Sequence, residues 1–155
     1  MRSPVLPLLL ASCCGLFAAP LAAQPAQQPV DVAASVRRAI EKAGRGLGHV
    51  GLATDARLEA AAVALGRHAR DCGPPPRELV EEAMWQSGVV EPVHRLMLIR
   101  FPPDAPQEML AELPQRLPQL LGTRGRSGGS GGRWTRYAFG SAPLADGDRC
   151  GVIVV

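Results

Sequence analysis

Residues 52–73 read LATDARLEAAAVALGRHARDCG, and the spacing of their apolar side chains decides the fold class. Leu58, Ala62, Leu65 and Ala69 recur at intervals of three and four, which lines one stripe of an α-helix, while Arg57, Arg67, His68 and Asp71 fall on other faces. Thr54 or Asp55 is placed to cap the start by accepting from free backbone N–H groups. Gly73, followed by Pro74, Pro75 and Pro76, ends the pattern, because glycine tolerates a left-handed cap and proline cannot continue the ladder. Such a helix needs a partner surface for its stripe, so the rest of the chain is read for what supplies one.

Upstream, Asp31 opens a helix whose Val32, Val36, Ala39, Ile40 and Ala43 share a face, with Arg37 and Glu41 spaced for an i, i+4 pair and Gly44 as its cap. A glycine-rich link through Gly46, Gly48 and Gly51 follows. Downstream, Pro76 suits the first turn of a third helix with Leu79, Val80, Ala83 and Met84 inward and Gly88 at its end. Val93 to Phe101, VHRLMLIRF, is rich in strand formers and apolar on both faces at its middle. That pattern predicts a strand covered from two sides or central in a small sheet.

Met109, Leu110, Leu113, Leu117, Leu120 and Leu121 carry a further helical period up to Gly122. Pro114 and Pro118 each remove a backbone donor and crowd the preceding turn, which predicts a kink or a split. Residues 123–133, TRGRSGGSGGR, have the composition of a flexible loop. Residues 134–142 and 151–155 read as two strands of a hairpin, joined through Asp146, Gly147 and Asp148. The expectation is one α+β domain over residues 31–155, with about four helices packed on a sheet of about three strands, and with Leu65, Leu79, Leu96, Leu98 and Leu113 in its core.

Ahead of that domain, Arg2 precedes an apolar run from Val5 to Ala19, and Pro20 to Gln24 supplies small residues before a polar stretch. This is the layout of a secretory signal peptide over residues 1–23, with residues 24–30 as a polar spacer, and the run is too short to be read as a membrane span. Leu10-Ala11-Ser12-Cys13 offers the alternative of a lipoprotein anchored at Cys13. The two cysteines beyond residue 23, Cys72 and Cys150, would then sit in an oxidising compartment, where a disulfide between them is the expected pairing. The alternative is two small buried apolar side chains.

The chain is 46% hydrophobic, within the globular range, and only 4% aromatic, so aliphatic side chains must fill the interior. Its formal charge of +3 is a solubility charge rather than a nucleic-acid footprint. Arg124, Arg126, Arg133 and Arg136 with Trp134 and Tyr137 resemble a basic, aromatic stacking segment, but in an exported chain a solubilising loop accounts for them and no nucleic-acid partner is expected.

Chemistry-bearing patterns are sparse. His49, His68 and His94 have no metal-ligand spacing, and His68 with Asp71 and Cys72 is an isolated fragment of a site. Ser87 and Ser141 lack a nucleophile-elbow context, no phosphate-binding loop is present, and Glu78, Glu81 and Glu82 read as a solvated face near a helix N-terminus. No catalytic residue, cofactor or metal is assigned.

Several short motifs together resemble a known module. They are Asp55, Leu58, Ala61 and Ala62 in the central helix, Pro75 to Leu79, Gly88 to Pro92, and the strand VHRLMLI. Together they are similar to the domain that precedes the CAP domain, the fold of the cysteine-rich secretory protein superfamily, in secreted bacterial proteins. Asp55, Leu58 and Ala62 also match the opening helix of the CAP domain itself, but the histidine of that helix would fall at Leu65, and His68 lies one turn onward. No functional residue is carried over. The resemblance implies an exported accessory or interaction module, stand-alone or in a truncated reading frame, whose partner is another protein domain or an envelope component. The alternative is a small cell-envelope hydrolase, which would require His68, Asp71 or Glu82 to gather around a pocket.

Overall fold

The computed structural model describes residues 30–49, 51–90, 95–122 and 135–155. The expected signal peptide of residues 1–23, Cys13, the expected spacer up to residue 29, His94, Trp134 and the expected Gly/Arg loop with Arg124, Arg126 and Arg133 lie outside the described residues.

Helix α1 (Val32–Gly46) starts where Asp31 accepts from the Ala34 N–H at 3.0 Å. Gly44 does not cap it: the helix runs two residues further, and Gly44 is buried within it against Leu52. A two-residue strand, β1 (Ala53–Thr54), comes next, and α2 (Ala56–His68) follows with Asp55 as its N-cap, accepting from the Arg57 N–H at 2.9 Å. The central helix therefore starts at the expected cap, Asp55, but ends at His68, short of the end expected at Gly73. Ala69 is extended, and a 3₁₀ turn over Arg70–Cys72 puts Asp71 (φ 50°) and Cys72 (φ 55°) in the left-handed region, while Gly73 stays extended. The turn brings Cys72 back under the sheet, and the backbone freedom a glycine would supply is demanded of two residues that have a Cβ.

Helix α3 (Arg77–Gln86) ends at Ser87 and Gly88, whose φ of 72° permits the reversal. Strand β2 (Leu96–Phe101) leads to α4 (Gln107–Leu121), which is a single helix through both prolines rather than a split one. Pro114 and Pro118 both lie on its exposed side, away from the core the helix covers. Strands β3 (Arg136–Pro143) and β4 (Arg149–Val154) form the expected hairpin, with Gly147 at φ 96° in the turn.

The class is α+β, and the described residues form four helices on a sheet of four strands rather than three. The strand order is β1-β3-β4-β2, β1 parallel to β3 and the other neighbours antiparallel. The additional strand pairs Ala53 with Arg136 and Thr54 with Tyr137.

Strand alternation divides the interior into two layers. Ile99, Phe101, Tyr137, Phe139 and Ile153 face α1 and α4, where Val36, Ile40, Leu113 and Leu117 are buried. Ala138, Cys150, Val152 and Val154, with Leu96 and Leu98, face α2 and α3. Coverage of both sides explains why β2 is apolar on both faces at its middle, before the exposed Arg100. Leu65 and Leu113 thus belong to opposite layers, and Leu79 is only half-buried.

On the second side α2 lies directly on the strands. A Cβ on Gly140 would stand 2.6 Å from the Val63 backbone nitrogen, and one on Gly66 would stand 3.2 Å from the Cys150 carbonyl oxygen. Only glycine fits at 140 without a shift of the α2 backbone, and at 66 a methyl group would need its neighbours to give by a few tenths of an ångström.

Candidate functional site

The expected Arg37–Glu41 pair is replaced by a wider clasp. Arg37 Nη2 reaches the Glu59 carboxylate of α2 at 3.1 Å, and Glu41 accepts from the Tyr137 hydroxyl at 2.8 Å. Arg136 and Arg57 meet on Asp55 Oδ2, at 3.1 and 3.3 Å. These bonds join α1, α2 and β3 around the β1 side of the sheet. Burial foremost, then Glu41, pushes the Tyr137 phenol far above its ordinary range, so it holds its proton and donates. Arg136 and Tyr137, the described part of the basic, aromatic pattern, are thus engaged in the fold itself.

Cys72 and Cys150 lie in a disulfide, with their Cα atoms 5.3 Å apart across 78 residues of sequence. The bridge ties the 3₁₀ turn to the buried face of β4.

His49 is 3% exposed, and its Nε2 meets the Gly122 carbonyl oxygen at 3.1 Å, which makes Nε2 the protonated nitrogen. Its Nδ1 has no partner among the described residues. The ring latches the connection after α1 to the end of α4. His68, Asp71 and Glu82 are each exposed, and Glu82 accepts from Gln86 on its own helix. Ser141 Oγ accepts from Arg149 at 2.9 Å. Among the described residues no group of His, Cys, Asp and Glu is arranged to hold a metal ion.

Two surface features remain. An open groove of about 320 Å³ runs between the outer edge of β2 and α4, lined by Arg95, Leu96, Met97, Arg116, Gln119 and Leu120. None of His68, Asp71 and Glu82 lines it. Arg95 Nη1 donates to the Gln119 and Leu120 carbonyls at 3.2 and 3.1 Å, a cation placed where the α4 dipole favours one. Arg116 Nη2 donates to the Leu98 carbonyl at 3.4 Å.

The second feature is on α3. Trp85 is 73% exposed and Val90, just beyond the helix, 83%. Glu78, Glu81, Glu82 and Trp85 fall on one side of the helix by their spacing, and all four are exposed. The inward-facing stripe was readable from the 3.6-residue period; the outward tryptophan was not singled out, although Trp85 stands out of phase with Ala83 and Met84.

No family model, no curated protein and no solved structure matches this chain.

Proposed function

We propose that the chain is an exported accessory module that binds another protein domain or an envelope component, as the similarity to the domain preceding CAP domains implies. The observation that carries this reading is Trp85. Burying its ring would remove a large apolar surface from water at about 25 cal/mol per Å². In a chain with so few aromatics, a solvent-exposed ring is the kind of anchor that dominates protein interfaces. The Cys72–Cys150 disulfide supports the exported part, because such bonds persist in oxidising compartments.

The experiment uses chain recovered from the exported fraction, read in a Trp134→Phe background so that Trp85 alone reports. Its amino terminus should be Gln24, and solubilised envelope extract should shift Trp85 emission to the blue and hinder quenching. Trp85→Ala should remove that binding. Retention in the cytoplasm with Met1 intact, or turnover of a cell-wall substrate that Glu82→Gln abolishes, would overturn the reading in favour of the intracellular or hydrolase alternative.

A further inference from the structure

We propose that the outer edge of β2 accepts an extended segment of a partner protein as a further strand, with acidic side chains of that segment seated in the groove beside α4. This deepens the interaction-module reading and rests on it for the statement that the chain binds protein.

The argument begins with backbone parity. Arg95 and Val155 exchange both backbone bonds, Arg95 N–H to Val155 at 3.4 Å and Val155 N–H to Arg95 at 3.2 Å. Antiparallel register then directs the N–H and C=O of Met97, Ile99 and Phe101 to β4 and those of Leu96, Leu98 and Arg100 outward. Among the described residues no strand pairs with that outer side. The Leu98 carbonyl has only the long Arg116 contact, which an incoming N–H can replace.

Edges of this kind are ordinarily blunted by shortness, proline or charge. The opposite edge of the sheet has β1 laid along the first part of β3 and the Arg37–Glu59 and Asp55–Arg136 ion pairs beside it. Strand β2 keeps six residues in line, and Leu96, Met97 and Leu98 are half-exposed along it. A row of outward donors and acceptors flanked by aliphatic side chains selects an extended chain over a helix or a small molecule.

The two sides of the edge differ, which specifies the alternation of the incoming strand. On the α4 side stand the guanidinium groups of Arg95 and Arg116 with Gln119, and among the described residues no carboxylate side chain lines the groove. On the other side stand Leu96 and Leu98. A strand with acidic residues on one face and apolar residues on the other complements both. A second copy of this chain would instead set Arg95 and Arg116 against the same pair across the seam, a like-charge arrangement that opposes self-pairing.

The test is amide NMR on the isotopically labelled full chain, with a short capped peptide alternating valine and glutamate as the probe and its valine–lysine counterpart as control. The glutamate peptide should shift the amides of Leu96, Leu98 and Arg100 and slow their hydrogen exchange, and the lysine peptide should bind about tenfold more weakly or worse. Arg116→Glu should invert that preference. Leu98→Pro, which removes an outward N–H and no bond to β4, should abolish binding while the spectrum elsewhere stays unchanged.

Shifts confined to α3, equal binding of the two peptides, or edge amides already protected in a concentration-dependent way without peptide would each overturn the proposal, the last by assigning the edge to a second copy. Failure of both peptides while Trp85 still engages envelope extract would remove this inference and leave the module reading standing.

Discussion

The two faces of the sheet are packed by different rules. Toward α1 and α4 the strands project Tyr137, Phe139, Phe101 and Ile153, so the helices stand off and large side chains fill the gap. Toward α2 the strands offer Ala138, Gly140 and Ala142 and the helix returns Ala61, Ala62 and Gly66, so backbone meets backbone. The alanines and glycines on this face answer a requirement of distance. One layer is specified by volume and the other by the lack of it.

The largest expected effect is on the layer filled by volume. Leu117, fully buried beneath α4, should lose about 2–5 kcal/mol of stability on Leu117→Ala, whereas Leu117→Met should cost less than about 1.5 kcal/mol because it conserves volume. Urea titration of both variants checks this, and a small loss for the alanine variant would show that α4 collapses onto the strands as closely as α2 does.

A smaller effect compares one methyl group on either face. Gly140→Ala drives a Cβ into the Val63 nitrogen and the Ala62 carbonyl carbon, at 2.6 and 2.9 Å, so α2 itself must move. About 1–3 kcal/mol is expected. Gly151→Ala meets the rings of Phe139 and Phe101, at 2.8 and 3.1 Å, which shift more easily than a helix, and should cost less. Equal melting temperatures for the two variants would erase the distinction between the faces.

The smallest effect lies where the layers are joined. Asp55 caps α2, and Asp55→Ala should cost about 1 kcal/mol. The Arg57 hydrogen bond, above all, holds its carboxyl below the ordinary carboxylate range, burial opposing it. The stabilisation is therefore complete above the unfolded value near 3.9 and disappears as pH falls through the lower folded value. Thermal melts from neutral pH down to about 3 should show the gap between wild type and Asp55→Asn narrowing across that acid window. A constant gap would assign the Asp55 contribution to capping alone.

Helix faces were legible because burial imposes a period. Val36 and Ile40 of α1, Leu58, Ala62 and Leu65 of α2, and Leu113 and Leu117 of α4 are buried where the spacing placed them. For Cys72 and Cys150 count and the expected compartment leave a bridge and two buried thiols both open, and the approach of the 3₁₀ turn to β4 decides for the bridge. Strand β1 left no signal, since two exposed residues have no alternation and their partner Arg136 lies in a distant part of the chain. The early end of α2 was hidden because Ala69 is buried in phase with the helix although its backbone is extended.

The β2 edge was illegible for a related reason. An apolar strand covered above and below has the same composition whether or not it has a neighbour at its side, so VHRLMLIRF fitted a central position while β2 stands outermost. The candidate surfaces suffer likewise, because periodicity reports what is inward. Trp85 and the groove are defined by what remains outside.

The strand order has a consequence for how this molecule comes into being. β4 is the last strand along the sequence, yet it lies between β3 and β2, and it alone bonds to both. While it is unmade, β2 has no neighbour and β3 has only the two residues of β1. Helices α1 to α4 can form locally, but each layer has half a wall to lean on. Assembly therefore waits on the insertion of β4 between β3 and β2, a contact pattern dominated by distant partners and correspondingly slow to close. Until then both aliphatic layers are exposed at once, and the unassembled chain is open to association with others through them.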